Sequence, residues 1–399
     1  MCLHNSFPPD IRVEKEIQVL KDKHEVFLLC VKDEGQITHE KWGGITVLRV
    51  FNKYQRLGAR FSLLNKRKSR LWEAEIRKNV LIHQIDVIHV HDLPLLGDSI
   101  KVGGDYNIPV ISDLHENYPA MLDTENSVSI FSVSSWQKLV SRLLTSVQKW
   151  VIYEKNIIKK ADVVIAVVEE ARERLIKLGV SPLKVHVIGN YASIDNGKFS
   201  TTVDSHKFTL VYAGGFALTR DLNTVIRAVA EINDGDFPDV EVILLGAKRR
   251  TGEKLERLAA KVGVSSRVRV MPWMAQEDAE ILMERADVGL VPHVKSPHTD
   301  STIPHKLFQY MWMKLPVIVS NCKPLQRIVE EAKCGYVYPS GDYVALSVQI
   351  KKLYKNRNLG KNFGMNGHLL VKNKYNWGIV GEQLLHVYGE LENKVSKPG

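Results

Sequence analysis

The chain has 399 residues, of which 44% are hydrophobic and 25% charged, and a net charge of +10. Such proportions belong to a soluble globular protein, and the length suits two domains of roughly 180–200 residues rather than one core. No apolar run reaches the roughly 20 residues of a membrane span and no secretory signal opens the chain, which excludes a membrane-spanning protein and predicts a cytoplasmic one.

Cys2, Cys30, Cys322 and Cys334 lie far apart without metal-ligand spacing, so reduced thiols and no metal are expected. The positive charge admits nucleic acid, an anionic membrane or phosphorylated small molecules as partners. No nucleic-acid motif is present, so no nucleic-acid partner is expected. The glycine fingerprints of nicotinamide-dependent dehydrogenases and P-loop NTPases are absent as well.

In chain order, Met1–Asn5 reads as an abbreviated strand. Phe7-Pro8-Pro9-Asp10-Ile11-Arg12-Val13-Glu14-Lys15-Glu16 turns into a helix, and His24–Cys30 returns to a strand. From Arg49 to Lys78 the segment is basic: Lys53, Arg56, Arg60, Lys66, Arg67, Lys68, Arg70 and Lys78 stand against Glu73 and Glu75, with Leu57, Phe61, Leu63, Leu64, Leu71 and Trp72 interleaved. This pattern fits either a solvated helix face or a surface lying on an anionic membrane.

Ile85–Asp92 and Ile108–Pro119 each read as a strand ending in a polar turn. Repeated strand–helix units predict a parallel α/β sheet whose ligand sites lie at the carboxyl ends of its strands. His91, Asp92, Asp113, His115 and Glu116 fall at such ends. Taken alone, His115 is either structural or functional, and Glu116 beside it can orient it or share its acid–base work.

Trp136–Lys160 reads as one long helix. Leu139, Val140, Leu143, Leu144, Val147, Val151, Ile157 and Ile158 form its apolar stripe, as core scaffold or as a membrane contact. After the strand Ala161–Val167, turn-formers around Gly189-Asn190 and Asn196-Gly197 mark an interdomain linker. The expected domains are 1–192 and 193–375, with 376–399 as a C-terminal helix crossing back to the first.

The second domain opens on the strand Thr209–Ala213, followed by Gly214-Gly215 and Arg220. Glycines let backbone approach a phosphate closely, and arginine offers a fork for its oxygens. Val240–Gly246 and Val268–Met274 read as further strands, with Trp273 placed either to stack on a base or to pack in the core.

After Val288–Pro292 comes His298-Thr299-Asp300-Ser301-Thr302-Ile303-Pro304-His305-Lys306-Leu307-Phe308-Gln309-Tyr310-Met311. Ser301 or Thr302 is placed to cap a helix, and Pro304 suits a first turn. The helix start and Lys306 together suit a phosphate, and a capped helix with a solvated lysine is the plain alternative.

Pro304-His305-Lys306-Leu307-Phe308-Gln309-Tyr310-Met311, with Leu315–Ser320 after it, resembles the nucleotide-sugar segment of family 4 glycosyltransferases with the GT-B fold. There the segment commonly reads Pro-Asn-Lys-Leu-Phe-Glu-Tyr-Met. Phe7–Glu16, Asp113-Leu114-His115-Glu116, the Gly214-Gly215 loop with Arg220, and Gly335–Asp342 resemble further family motifs, so the likeness covers nearly the whole chain.

The resemblance implies two Rossmann-like domains with parallel sheets facing a central cleft. It implies a retaining, metal-independent transfer of a sugar from a nucleoside diphosphate to an acceptor hydroxyl, in cell-surface polysaccharide or glycolipid synthesis. The donor is a substrate, and no cofactor is called for. The acceptor would be a glycan or lipid-linked, with the enzyme peripheral on the inner face of an anionic membrane.

Carried over position by position, the catalytic residues are His115, Arg220 and Lys306. The donor side is Gly214, Gly215, Arg220, Trp273, Pro304, His305, Lys306 and Gln309. The acceptor side is Pro9, Asp10, His91, Asp92, Asp113 and Glu116. Two departures stand out: Gln309 replaces the glutamate expected on the ribose, and Ser301 the earlier acidic residue. A non-catalytic scaffold that binds nucleotide sugars is the alternative.

Overall fold

The computed structural model describes residues 1–128, 146–193, 207–232 and 235–395. The chain divides into two compact units, Met1–Gly189 with Ile379–Gly399, and Asn190–Gly378.

The first unit carries an eight-stranded sheet: β1 (Cys2–Ser6), β2 (Phe27–Val31), β3 (His39–Trp42), β4 (Ile45–Val50), β5 (Ile88–His91), β6 (Val110–Leu114), β7 (Val163–Ala166) and β8 (Val185–Val187). Its order is β3-β4-β2-β1-β5-β6-β7-β8. Every pairing is parallel except the β3–β4 hairpin. Trp42 pairs with Ile45 across Gly43-Gly44, both at positive φ, as a tight two-residue hairpin turn requires. The sequence reading did not foresee this hairpin.

The central strands read as near-continuous apolar runs because helices cover both faces of a parallel sheet. The helix Val147–Ile157 corrects the expected apolar stripe. Trp150 and Glu154 are buried in it, followed by Ile158, whereas Val151 is exposed. Trp150 packs on Tyr118 and Tyr153, and Glu154 receives a two-pronged bond from Arg174 at 2.7 and 2.8 Å. Aromatic volume and one paired carboxylate thus set the phase of this helix. Leu139, Val140, Leu143 and Leu144, in the expected start of the helix, lie outside the described residues.

The second unit carries six parallel strands: β9 (Phe208–Ala213), β10 (Val240–Ala247), β11 (Val268–Pro272), β12 (Val288–Val291), β13 (Val317–Ser320) and β14 (Gly335–Tyr338). Their order, β11-β10-β9-β12-β13-β14, is that of the Rossmann fold, with the chain reversing its direction of travel between β9 and β12. Each sheet therefore has a switch point, β1/β5 in the first unit and β9/β12 in the second. The carboxyl ends of these strands are where an open α/β sheet offers a ligand its crevice. The last helix, Trp377–Val395, runs into the part of the chain that belongs with the first unit.

Candidate active site

At the β9/β12 switch point the backbone is crowded by design of its sequence. Gly214 and Gly246, at φ +135° and +112°, close the ends of β9 and β10. A Cβ at Gly246 would lie 2.4 Å from Gly214 O, and one at Gly214 would lie 2.7 Å from Lys306 Nζ. Only glycine fits either place. Tyr310 Oη accepts from Ala213 N at 2.8 Å, tying the helix His305–Trp312 to the end of β9.

That helix begins differently from the sequence expectation. Pro304 occupies the capping position rather than the first turn, and no side chain caps the helix. Ser301 is spent in the preceding short turn, where its hydroxyl donates to Pro297 O and His298 O. The neighbouring Asp300 accepts from Lys295 Nζ and Lys323 N. The earlier acidic position of the family motif therefore offers no carboxylate here. An uncapped helix start keeps its positive dipole end available to an anion.

Lys306 lies in that first turn, half-buried, with Nζ 3.6 Å from the centre of the Tyr212 ring. Arg220 Nη1 lies 2.8 Å from His293 Nε2 and 3.0 Å from Nδ1, at the end of β12, and donates to whichever of the two carries no proton. Among the described residues neither cation has a carboxylate partner. Burial and then Arg220 hold the Lys306 ammonium well below its usual range. The same two causes lower His298 to about 4, and burial, Arg220 and Lys306 keep His293 neutral. Two cations near each other with no counter-ion require an anion between them to be comfortable.

Of the remaining donor-side residues, Trp273 is 60% exposed, and its ring would lie 3.9 Å from a Cβ at Gly215. It is therefore a free aromatic face beside the glycine loop and not a core residue. Gln309 and His305 are half-buried on the same helix as Lys306.

In the first unit the predicted acceptor-side residues do converge, around two that sequence reasoning missed. Arg12, 4% exposed, grips Asp113 with Nε to Oδ2 at 3.0 Å and Nη2 to Oδ1 at 2.8 Å, and its Nη1 donates to Ile188 O. Its Nε also lies 3.0 Å from Glu16 Oε1. Asp113 Oδ2 is 3.1 Å from His115 Nε2, which is 3.1 Å from His91 Nδ1. Asp92, at φ +62°, accepts from His115 N at 3.1 Å.

Burial opposes a charge on His115, but Asp92 and Asp113 outweigh it and raise its pKa to about 10. Burial alone would raise Asp113, yet Arg12 and His115 hold it well below the usual carboxylate range. Glu16 goes the other way, pushed up by burial and by Asp113. Asp10 caps the helix Ile11–Leu20 by accepting from Arg12 N and Val13 N, which aims Arg12 and Glu16 inward. Pro9 is exposed and Glu116 half-buried, at the ends of β1 and β6. The signal for Arg12 and Glu16 was their i,i+4 spacing after a capping Asp10, which by itself reads as an exposed helix pair.

An uncapped helix start, two cations that have no carboxylate partner among the described residues, and a glycine floor, all at the switch point of a Rossmann sheet, make this a candidate anion-binding site. Comparison with known proteins gives the family. The models for glycosyl transferases group 1 and for glycosyltransferase family 4 match residues 193–369 and 16–195. The chain belongs to these glycosyltransferases.

It is 25% identical over 161 residues to a phosphatidyl-myo-inositol mannosyltransferase of Mycobacterium leprae, covering 40% of this chain and 41% of that one. Curated relatives are matched over 18% to 61% of their own length. Among solved structures, sucrose-phosphate synthase from Thermosynechococcus elongatus superposes with a TM-score of 0.75 at 17% identity, over 98% of this chain and 95% of that one. Anabaena HepE, solved with UDP-glucose, gives 0.70 at 16%, over 98% of each. These likenesses confirm two parallel-sheet α/β domains of the GT-B type.

Proposed function

We propose that the protein is a retaining glycosyltransferase that moves a sugar from a nucleoside diphosphate to an acceptor hydroxyl, in the synthesis of a surface polysaccharide or glycolipid. One observation carries this reading: among the described residues Lys306 and Arg220 have no carboxylate partner, and Lys306 stands in the first turn of the uncapped helix that starts at His305. Charge grows on the diphosphate as the sugar leaves, and prearranged cations there are worth about 3–4 kcal/mol each in the transition state. On this reading Lys306 and Arg220 carry that charge without a metal ion. Trp273 faces the base, Gln309 the ribose, and His115 attends the reacting sugar. The departing phosphate takes the acceptor's proton, and retention follows from attack on the same face.

Turnover of a panel of UDP-, GDP-, ADP- and dTDP-sugars tests the proposal. Slow hydrolysis of one donor supports it. Binding of a donor with no hydrolysis and no transfer to any lipid or glycan acceptor would favour the non-catalytic scaffold, for which Ser301 and Gln309 speak. A carboxylate in place of Gln309 restores a charge-assisted bond of about 1.5–3 kcal/mol. The Gln309→Glu variant should therefore bind donor equally or more tightly, and a large loss would show that this position does not face the ribose.

The pH dependence follows from Lys306. Its ammonium is disfavoured in the empty site and favoured beside a diphosphate, so the complex holds more protons than the free protein. Binding is then strongest at lower pH and weakens as pH rises through the lysine's range in the empty site. Once the phosphate is fully ionised, well above its pKa of about 6, titration calorimetry over rising pH should show proton uptake and a falling affinity for nucleoside diphosphate. Binding with no proton uptake at any such pH would contradict it.

We further propose that the basic segment docks on an anionic membrane. On the helix Lys53–Lys66, Tyr54, Leu57 and Phe61 are 83%, 59% and 51% exposed, three and four residues apart, with Arg60 and Lys66 exposed beside them. Apolar side chains among basic ones suit an interface of anionic lipid. The chain should sediment with anionic vesicles and not with neutral ones. A Leu57→Ser, Phe61→Ser double variant that sediments like wild type would refute the assignment.

A further inference from the structure

The buried cluster of the first unit sets Glu16 and His89, which have no part in the proposed transfer, against the acceptor-side His91 and Asp113. Glu16 and Asp113 are fully buried, His91 likewise, and His89 is 1% exposed. His89 Nε2 lies 3.7 Å from both Glu16 Oε2 and Asp113 Oδ2, and His91 Nδ1 lies 4.0 and 3.4 Å from the same two oxygens. One ligand atom from each of the four falls within 4.8 Å of every other. Most of these separations exceed the roughly 3.2 Å limit of a direct hydrogen bond. Accordingly Glu16 Oε2 and His89 Nε2 have no hydrogen-bond partner, while Glu16 Oε1 is met by the Arg12 guanidinium at 3.0 Å. Leaving such groups buried and unmet costs about 1–3 kcal/mol each.

The spacing has another reading. A tetrahedral ion with bonds of about 2.0–2.2 Å sets its ligand atoms about 3.3–3.6 Å apart, so the nearer pairs already suit one ion and the widest, at up to 4.8 Å, would close by about 1 Å on binding it. His89 is already oriented for this: its Nδ1 is 2.8 Å from Tyr388 Oη, which turns Nε2 toward the carboxylates. A second-shell bond of that kind commonly fixes a metal-binding histidine.

Arg12 occupies the outer side, on Asp113 Oδ1 and Oδ2 and near Glu16 Oε1, and leaves Glu16 Oε2 facing the rings. His115 borders the site through Asp113 Oδ2, an oxygen with a lone pair to spare for an ion, and through His91 Nδ1, where an ion would take the place of His115. A cavity of about 500 Å³, lined by polar and apolar side chains that include His24, His83, Asp86, Phe27 and Tyr388, reaches His89.

We propose that Glu16, His89, His91 and Asp113 bind a divalent ion of the zinc type, a structural ion that pins the helix Ile11–Leu20 to the ends of β5 and β6. Two imidazoles and two carboxylates suit a borderline ion better than magnesium, which prefers all-oxygen octahedral sites. The four ligands come from three elements far apart in sequence, so no spacing motif announces them.

The test is metal analysis of the full-length chain purified without chelator. One zinc per chain is expected, removable by chelator with a fall in melting temperature that zinc reverses and magnesium does not. Cobalt in its place should give the visible absorption of a tetrahedral site. Glu16→Gln and His89→Gln, checked for folding by circular dichroism, should lose the ion. Tyr388→Phe, which touches no ligand oxygen, should weaken zinc binding by about 10–100-fold. Substoichiometric metal with no thermal response to added zinc overturns the proposal. Zinc retained equally by the folded Glu16→Gln and His89→Gln variants also overturns it, by placing the ion on surface histidines.

Discussion

Replacing Lys306 with methionine is expected to cut sugar transfer by about 10²–10³-fold, the effect of deleting one well-placed donor to developing charge. The same change should not lower the stability of the ligand-free protein. In the empty site the ammonium lies over the Tyr212 ring and has no carboxylate partner among the described residues, with burial opposing its charge and Arg220 repelling it. Methionine fills much of the same volume over Tyr212 and carries no charge, so the free protein should melt at or above the wild-type temperature. Function and stability thus move in opposite directions, the mark of a site strained for its ligand. Assays of turnover and thermal unfolding on the one variant check both halves. Near wild-type turnover, or a marked drop in melting temperature, would refute the assignment of Lys306.

Arg12→Ala should give the largest loss of stability among single polar substitutions in the first unit, about 3–5 kcal/mol. Arg12 serves Asp113 with two bonds, approaches Glu16 and closes on Ile188 O, all out of water. Without it Asp113 loses the largest of the influences that favour its charge and leans on His115 and His89, and the end of β6 that carries His115 loses its anchor. Arg12→Lys should recover little of the loss, because an ammonium cannot reproduce the planar fork. The exposed Arg249–Glu253 pair gives the contrast: its i,i+4 bridge is open to solvent, and Arg249→Ala should leave unfolding unchanged. Denaturant titration of the three variants reads the difference. Equal stability of Arg12→Ala and wild type would show that the cluster does not hold this unit together.

Much of this was legible in the sequence because strand–helix alternation is a local pattern. The strand ends carrying Asp92, Asp113, His115 and Gly214, and the helix start carrying Lys306, sit where the repeat places them. What escaped depended on partners distant in sequence. Arg12 and Glu16 look like a solvated helix pair until β6 brings Asp113 between them. The phase of Val147–Ile157 was misjudged because Trp150 and the Arg174-paired Glu154 outweigh Val151 for the core. Ser301 looked like a helix cap, but its hydroxyl is consumed by the carbonyls of Pro297 and His298, which only the folded turn presents. The Gly43-Gly44 hairpin carried a readable turn signal that the short flanking strands concealed.

The most direct test of the account is to compare the binding of a nucleoside diphosphate with that of its parent nucleoside, by calorimetry, in wild type and Lys306→Met. The account predicts that the diphosphate binds far more tightly in the wild type, and that most of this advantage disappears in the variant. Equal affinity for nucleoside and diphosphate, or an advantage that survives the loss of Lys306, would contradict it.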